Sequence, residues 1–260
     1  MCDEKSTGGS LSPKGYSGLS LYLAMYWLDD LHDESQTSGM HARRREILFA
    51  VCFAESYIFE WVRDVVFANR EPHDRHTALM QVFPEDAKRG VFDKWKQVVK
   101  QLKCESSVPS SPDFGQKYWE NFHDLVNFRD GIIHAAHCRP SASAWPQIPD
   151  DPQPVPTYEE LLAMKAGWAK EIVIELVGQL HAGTKTLRPY WLQERHLRWD
   201  GWDVFANEHV EVSAMLWSVT ATKGEQTIEG HGATEPEAFE QVCKQAESLG
   251  MPRRCRGCTT

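Results

Sequence analysis

Apolar residues along this chain recur mostly at spacings of three and four, the period of a helix with one buried face. Ile47, Val51, Ala54, Ile58, Trp61 and Val65 form such a stripe and predict a long helix over 39–69, ended by Pro72. A shorter apolar run predicts a helix over 19–31 that closes on the acidic pair Asp29-Asp30. Val91, Phe92, Trp95, Val98 and Leu102 predict the inward face of a helix over 86–102. Tyr118, Phe122, Leu125, Ile132 and Ala136 predict one over 114–137, and Leu161, Trp168, Ile172, Leu176 and Leu180 one over 158–182. Residues 106–112 and the proline-rich 140–156 read as loops, because proline lacks an N–H and fixes its φ. Helices of this number and length pack as a bundle. Ile47, Val51, Ile58, Phe122, Leu125, Trp168 and Ile172 are expected in its core.

Near Leu187 the pattern changes. Residues 210–222 are rich in β-branched and aromatic side chains and predict a strand, Lys223-Gly224-Glu225 a turn, and 226–231 a returning strand broken by Gly232. A further strand is expected near 199–206. Thr234-Glu235-Pro236-Glu237 reads as a capping box with proline in the first turn, so a helix starts there. Phe239, Val242, Ala246 and Leu249 give its buried face, and Gly250 with Pro252 its end. The expected fold is mainly α: a helical bundle over 16–186 with a small C-terminal α+β appendage, a β-hairpin plus helix, over 187–252. Residues 1–15 read as a disordered start and 253–260 as a flexible tail.

The net charge of −9 argues against a broad basic surface that coats nucleic acid, but not against a local cationic cleft. The first residues lack an apolar signal core and no apolar run reaches the roughly 18 residues of a membrane span. A cytoplasmic protein without a membrane partner is expected. The seven cysteines are odd in number and scattered, which fits reduced thiols. Cys255 and Cys258 form a lone C-x2-C; Cys243 and His231 would complete four zinc ligands only at an unusual spacing, so free thiols are expected. Phosphate-loop, dinucleotide and zincin motifs are absent from the sequence, and neither cofactor nor metal is expected.

One segment places chemistry inside an apolar pattern. In Arg129-Asp130-Gly131-Ile132-Ile133-His134, Arg129 takes the slot of the buried stripe between Leu125 and Ile132. A buried guanidinium costs roughly several kcal/mol unless paired. Either a carboxylate on a neighbouring helix answers it, or it belongs to an anion site in which arginine holds phosphate and histidine moves protons. RNA carries its own nucleophile, the 2′-hydroxyl. Cleavage then needs a base, an acid and a cation for the phosphorane, roles that histidine and arginine fill.

The segment from Asn127 to Ala135 resembles the signature of the HEPN superfamily, R-x4-6-H with Asn, Asp or His favoured after the arginine; here the spacing is R-x4-H and Asp130 follows. The resemblance covers residues 39–184. It implies a small helical bundle with the motif in its penultimate helix, and metal-independent RNA cleavage. It also implies a homodimer whose paired Arg/His sets share one cleft, and a toxin or phage-defence effector answered by an antitoxin or other regulatory protein. Arg129, His134 and Asp130 match the motif. Glu55 resembles the acidic residue that an earlier helix carries toward the site. His137, one turn after His134, and Arg43 and Arg44 of the basic triplet are further candidate RNA contacts, although a basic triplet is more often a solvated face. His123 is expected to be structural. Some members of the family have lost the chemistry, so a non-catalytic dimerisation, nucleotide-binding or partner-binding module is the alternative. A third reading is an unrelated helical protein in which Arg129 closes a buried ion pair.

Overall fold

The computed structural model describes residues 23–68, 90–103, 116–135, 158–184, 186–211 and 214–252. These form eight helices and one antiparallel sheet: α1 Leu23–Gln36, α2 Met40–Ala68, α3 Val91–Lys103, α4 Gln116–Ala135, α5 Tyr158–Ala163, α6 Trp168–Thr184, α7 Tyr190–Trp199, β1 Asp203–Glu211, β2 Ala214–Lys223, β3 Gln226–Gly232 and α8 Glu235–Ser248. The chain is therefore mainly helical, with a three-stranded sheet toward its C-terminal end. The expected start over 1–15, the loops over 106–112 and 140–156, Ala136, His137 and the tail over 253–260 lie outside the described residues.

α2 is the central helix because two of its stripes are apolar. The one read from the sequence (Ile47, Val51, Ala54, Ile58, Trp61) is buried, and so is an adjacent one made by Ala50, Phe53 and Tyr57. α1, α3, α4, α5 and α6 pack around it. Trp95 of α3 donates its indole N–H to the Ala54 carbonyl at 3.0 Å and lies against Phe122 of α4. Phe128 of α4 meets Trp168 of α6 edge to face, with ring centres 5.9 Å apart. Six of the seven expected core residues are buried, while Trp168 is half-buried against that core.

Three boundaries differ from the sequence reading. α1 continues past Asp29-Asp30 to Gln36. The helix expected over 158–182 is two, α5 and α6, separated by a turn in which Gly167 adopts φ +83°. Few other residues take that conformation cheaply. The strand expected over 210–222 is divided between β1 and β2, which pair from Asp203↔Thr222 to Glu211↔Ala214. The reversal was not legible because Glu211-Val212-Ser213-Ala214 carries no glycine, proline or asparagine.

The appendage has its own core: Val204, Val219, Ala221 and Ile228 from the sheet against Phe239, Val242 and Ala246 from α8. The capping box is present, with the Glu237 carboxylate accepting the N–H groups of Ala233 and Thr234 at 3.0 and 3.2 Å. α7, which the sequence reading did not anticipate, serves both cores. Trp191 and Leu192 enter the bundle and Leu197 enters the appendage. Arg195 of α7 also holds Asp29 of α1 through two hydrogen bonds of 2.5 and 2.6 Å.

β3 touches α8 at glycine. A Cβ on Gly230 would stand 2.3 Å from the Ala238 carbonyl oxygen and 2.9 Å from Val242. Gly230→Val should therefore lose about 1–3 kcal/mol, the usual cost of overpacking, when unfolding is followed in urea. An unchanged midpoint would mean that α8 can retreat from β3 at no cost.

Candidate functional site

α4 packs through Phe122, Leu125, Val126 and Ile132, which are buried, and this face includes part of the motif. Arg129 sits at the edge of that face with its side chain 21% exposed. Its Nε lies 2.7 Å from Oδ1 of Asp130, the next residue, yet the N–H is not directed at that oxygen. The contact is a Coulombic one, and Nε is buried without a hydrogen-bond partner among the described residues.

Across from α4, the Cys52 thiol of α2 feels Arg129. Burial raises its pKa, Arg129 partly offsets this, and Glu55 adds to it. Glu55 is also on α2 and is engaged by Lys94 of α3, which binds its Oε1. No carboxylate from another helix forms a salt bridge with Arg129 among the described residues.

α4 is helical through Ala135, so the backbone directions at positions 129 and 134 diverge by about 140°. The His134 side chain and all of His137 lie outside the described part. Asp130 is half-buried beside Arg129, and His123 shares a 3.1 Å hydrogen bond with Asn127, a local structural contact.

The basic triplet separates into three different environments. Arg43, expected as an RNA contact, is instead turned inward: its guanidinium is 5% exposed, paired with Glu46 and donating to the Thr37 carbonyl. Helix phase decides this, since position 43 lies one turn before the inward Glu46. Arg44 is half-buried. Arg45 is exposed and grips Glu34 at 2.7 and 3.1 Å, which raises its pKa.

Polar groups that the sequence reading passed over are the more deeply placed ones. Glu46 and Glu60 bracket the second apolar stripe of α2 and are 1% and 6% exposed. Glu46 accepts the backbone N–H groups of Gly167, Ala169 and Lys170 at 3.3, 3.0 and 3.4 Å, capping α6 from across the bundle. Glu60 caps α1, its Oε1 accepting the Ala24 N–H at 3.2 Å, while its Oε2 is buried with no hydrogen-bond partner among the described residues. His181 is buried between the Tyr57 hydroxyl, 2.5 Å from Nε2, and Thr186 Oγ1, 2.7 Å from Nδ1. Thr184 donates to Leu180, so Thr186 donates to Thr184 and accepts from Nδ1–H, leaving Nε2 to accept from Tyr57. Burial, with Arg188 nearby, pushes His181 down to about 3 and keeps it neutral. A signal for both glutamates existed in the four-three spacing of positions 46, 50, 53, 57 and 60.

A cleft of about 1170 Å³ opens between α1, α4 and α6. Lys170 closes one wall, hydrogen-bonded to His32 Nδ1 and 4.3 Å from the ring centre of Trp199, on which His32 stacks at 4.2 Å. Among the described residues no His, Cys, Asp and Glu groups gather in a metal-holding set. Cys243 is buried between α8 and α7, donates to the Gln193 carbonyl at 3.9 Å, and is pushed up by burial to about 12, whereas His231 is exposed. Cys255 and Cys258 lie outside the described residues. Among the described residues, no helix is long and apolar enough to cross a membrane.

Glu60 sets a pH test. Burial, opposed by the Ala24 N–H and by Arg63, raises its carboxyl from 4.5 to about 7. The folded chain holds this proton more tightly than the unfolded one. The resulting stabilisation is complete below about pH 4.5 and is lost as pH rises through about 7. Glu60→Gln should gain stability over the wild type toward pH 8, by roughly 1–3 kcal/mol once solvent screening is allowed for, and match it near pH 4.5. Parallel stability curves for the two proteins would show that Glu60 does not titrate in this window.

No family model, curated protein or solved structure matches this chain.

Proposed function

We propose that the protein is a metal-independent endoribonuclease of the HEPN type, a toxin or phage-defence effector that cleaves RNA through the 2′-hydroxyl. The observation that carries this reading is the state of Arg129. Its guanidinium is partly buried on the motif helix; among the described residues no carboxylate from another helix pairs with it, and Glu55 is engaged by Lys94. Asp130 lies against the buried Nε, and the exposed part of the side chain is what would meet phosphate oxygens. His134 supplies the proton carrier. Since positions 129 and 134 diverge on one helix, a homodimer brings Arg129 of one protomer toward His134 of its partner across a two-fold axis.

In this scheme the 2′-oxygen attacks the adjacent phosphorus as a base removes its proton. The P–O5′ bond breaks, and the 5′-oxygen takes a proton from an acid. The products are a 2′,3′-cyclic phosphate and a 5′-hydroxyl. Total RNA incubated with the full chain in a chelator should be cut with these ends. Light scattering should report a dimer at micromolar concentration. Intact RNA under all conditions, from a dimeric folded protein, would move the non-catalytic nucleotide- or partner-binding module ahead.

A further inference from the structure

We propose that the cleft between α1, α4 and α6 binds a short single-stranded RNA segment, with Lys117, Lys165 and Lys170 facing its phosphates and Tyr118 and His32 its bases. All five residues line the cleft. At about 1170 Å³ it exceeds the roughly 300–1,000 Å³ of small-molecule sites, so it has room for a strand rather than one compact ligand.

The charge of its walls runs against that of the chain. The protein carries −9 overall, yet the cleft sets three lysines against two glutamates, Glu171 and Glu175. Lys165 reaches Glu171 at 2.7 Å, with the two side chains 73% and 64% exposed. An exposed pair of this kind contributes little, so phosphate can take the lysine from it. Lys117 is exposed on the first turn of α4, a turn without an acidic side chain. A polyanion is repelled by the rest of so acidic a surface and is drawn to the place where cations gather.

Lys170 makes one wall rigid. The residue is 6% exposed, and its ammonium donates to Nδ1 of His32 and stands 4.3 Å from the ring centre of Trp199. An ammonium has no lone pair, so His32 accepts at Nδ1 and carries its proton on Nε2. The imidazole is thereby held flat on Trp199, with ring centres 4.2 Å apart and planes at 5°. A base laid on His32 would lengthen a stack that already exists, beside a charge already in place, so little side-chain freedom is lost on binding. Tyr118, half-buried, supplies a second ring on the α4 wall, and Asn121 an amide for base edges. Rings for the bases with cations for the backbone are the means by which proteins hold single strands of any sequence. Asn121 is two turns before Arg129 on the same helix, about 12 Å along its axis. That link to cleavage rests on the ribonuclease reading; strand binding itself does not.

The test is fluorescence anisotropy of the full chain, in a chelator and low salt, with a labelled 2′-O-methyluridine hexamer, whose blocked 2′-oxygen keeps it intact. The hexamer should bind, and the logarithm of its affinity should fall with that of salt at a slope of about −2, from roughly 0.7 for each of three lysine–phosphate contacts. Lys117→Gln with Lys165→Gln should lose about tenfold or more and bring the slope to roughly −0.7. Both lysines are exposed, so this variant keeps the fold. Tyr118→Ala should lose about fivefold or more, while Tyr118→Phe, which keeps the ring, should bind like the wild type. An abasic hexamer and 5′-UMP should each bind at least about tenfold more weakly, the one for want of bases and the other for want of neighbouring phosphates. No hexamer binding, wild-type affinity in the double lysine variant, or equal affinity for the abasic hexamer would overturn the proposal. 5′-UMP binding as tightly as the hexamer would overturn the strand in favour of a mononucleotide. RNA cleavage without hexamer binding would sink the cleft alone. Hexamer binding through the lysines without cleavage of RNA would sink the ribonuclease reading alone.

Discussion

Glu46→Ala should lower the unfolding free energy by about 3–5 kcal/mol, the range for removing one partner of a buried ion pair. The side chain has two tasks. It balances Arg43, whose guanidinium is buried beside it, and it accepts three backbone N–H groups at the start of α6. Truncation strands the guanidinium in a low-dielectric site and leaves those N–H groups without acceptors. Glu46→Gln should lose less, because an amide oxygen still caps α6. Removing both charges, in Arg43→Met with Glu46→Gln, should recover part of the loss of Glu46→Ala, since no charge is then left unpaired. Urea unfolding of the four proteins decides the matter. A loss below about 1 kcal/mol for Glu46→Ala would place the pair among surface-like ion pairs that contribute little.

His134→Ala should cut RNA cleavage by about 10²-fold or more, the scale on which a general acid or base acts. Arg129→Ala should lose a comparable 10²–10³-fold, roughly the effect of removing a donor that stabilises developing charge. Arg129→Lys should retain only part of the activity, because a point charge replaces a planar fork that grips two oxygens. Circular dichroism and light scattering belong beside each rate, since Arg129 packs at the edge of the core and its loss could act through folding or dimerisation. A folded, dimeric His134→Ala protein that cleaves like the wild type would show that the activity belongs to a contaminant. The pH profile of the wild type should depend on a group near the ordinary histidine range, and that limb should disappear in His134→Ala.

Much of the bundle could be read from spacing alone. The four-three repeat from Ile47 to Trp61 and the repeat from Phe122 to Ile132 set the buried faces of α2 and α4, and the core follows them. The capping box at Thr234 fixed the start of α8 in the same way. The failures have physical causes. α7 escaped notice because its Gln193, Glu194, Arg195 and His196 dilute an apolar face that is divided between two cores. The break between α5 and α6 depends on Gly167 and on a glutamate more than a hundred residues away, which no local pattern reveals. At the candidate site, the sequence marked Arg129 as a charge needing an explanation. It could not say that Glu55 answers Lys94 instead, because that choice is made where helices α2 and α3 meet. Nor could it separate Arg43 from Arg45, two residues apart and on opposite sides of the helix wall.

α7 gives the appendage a dependence that its small size alone would not. Trp191 and Leu192 anchor one side of this ten-residue helix and Leu197 the other, while Arg195 fastens it to α1. A chain cut at residue 187 would strip the bundle of two core side chains, and one cut at 200 would take Leu197 from the core of the appendage. The two parts are thus not beads on a string: α7 places side chains in both cores, and a substitution on it reaches both.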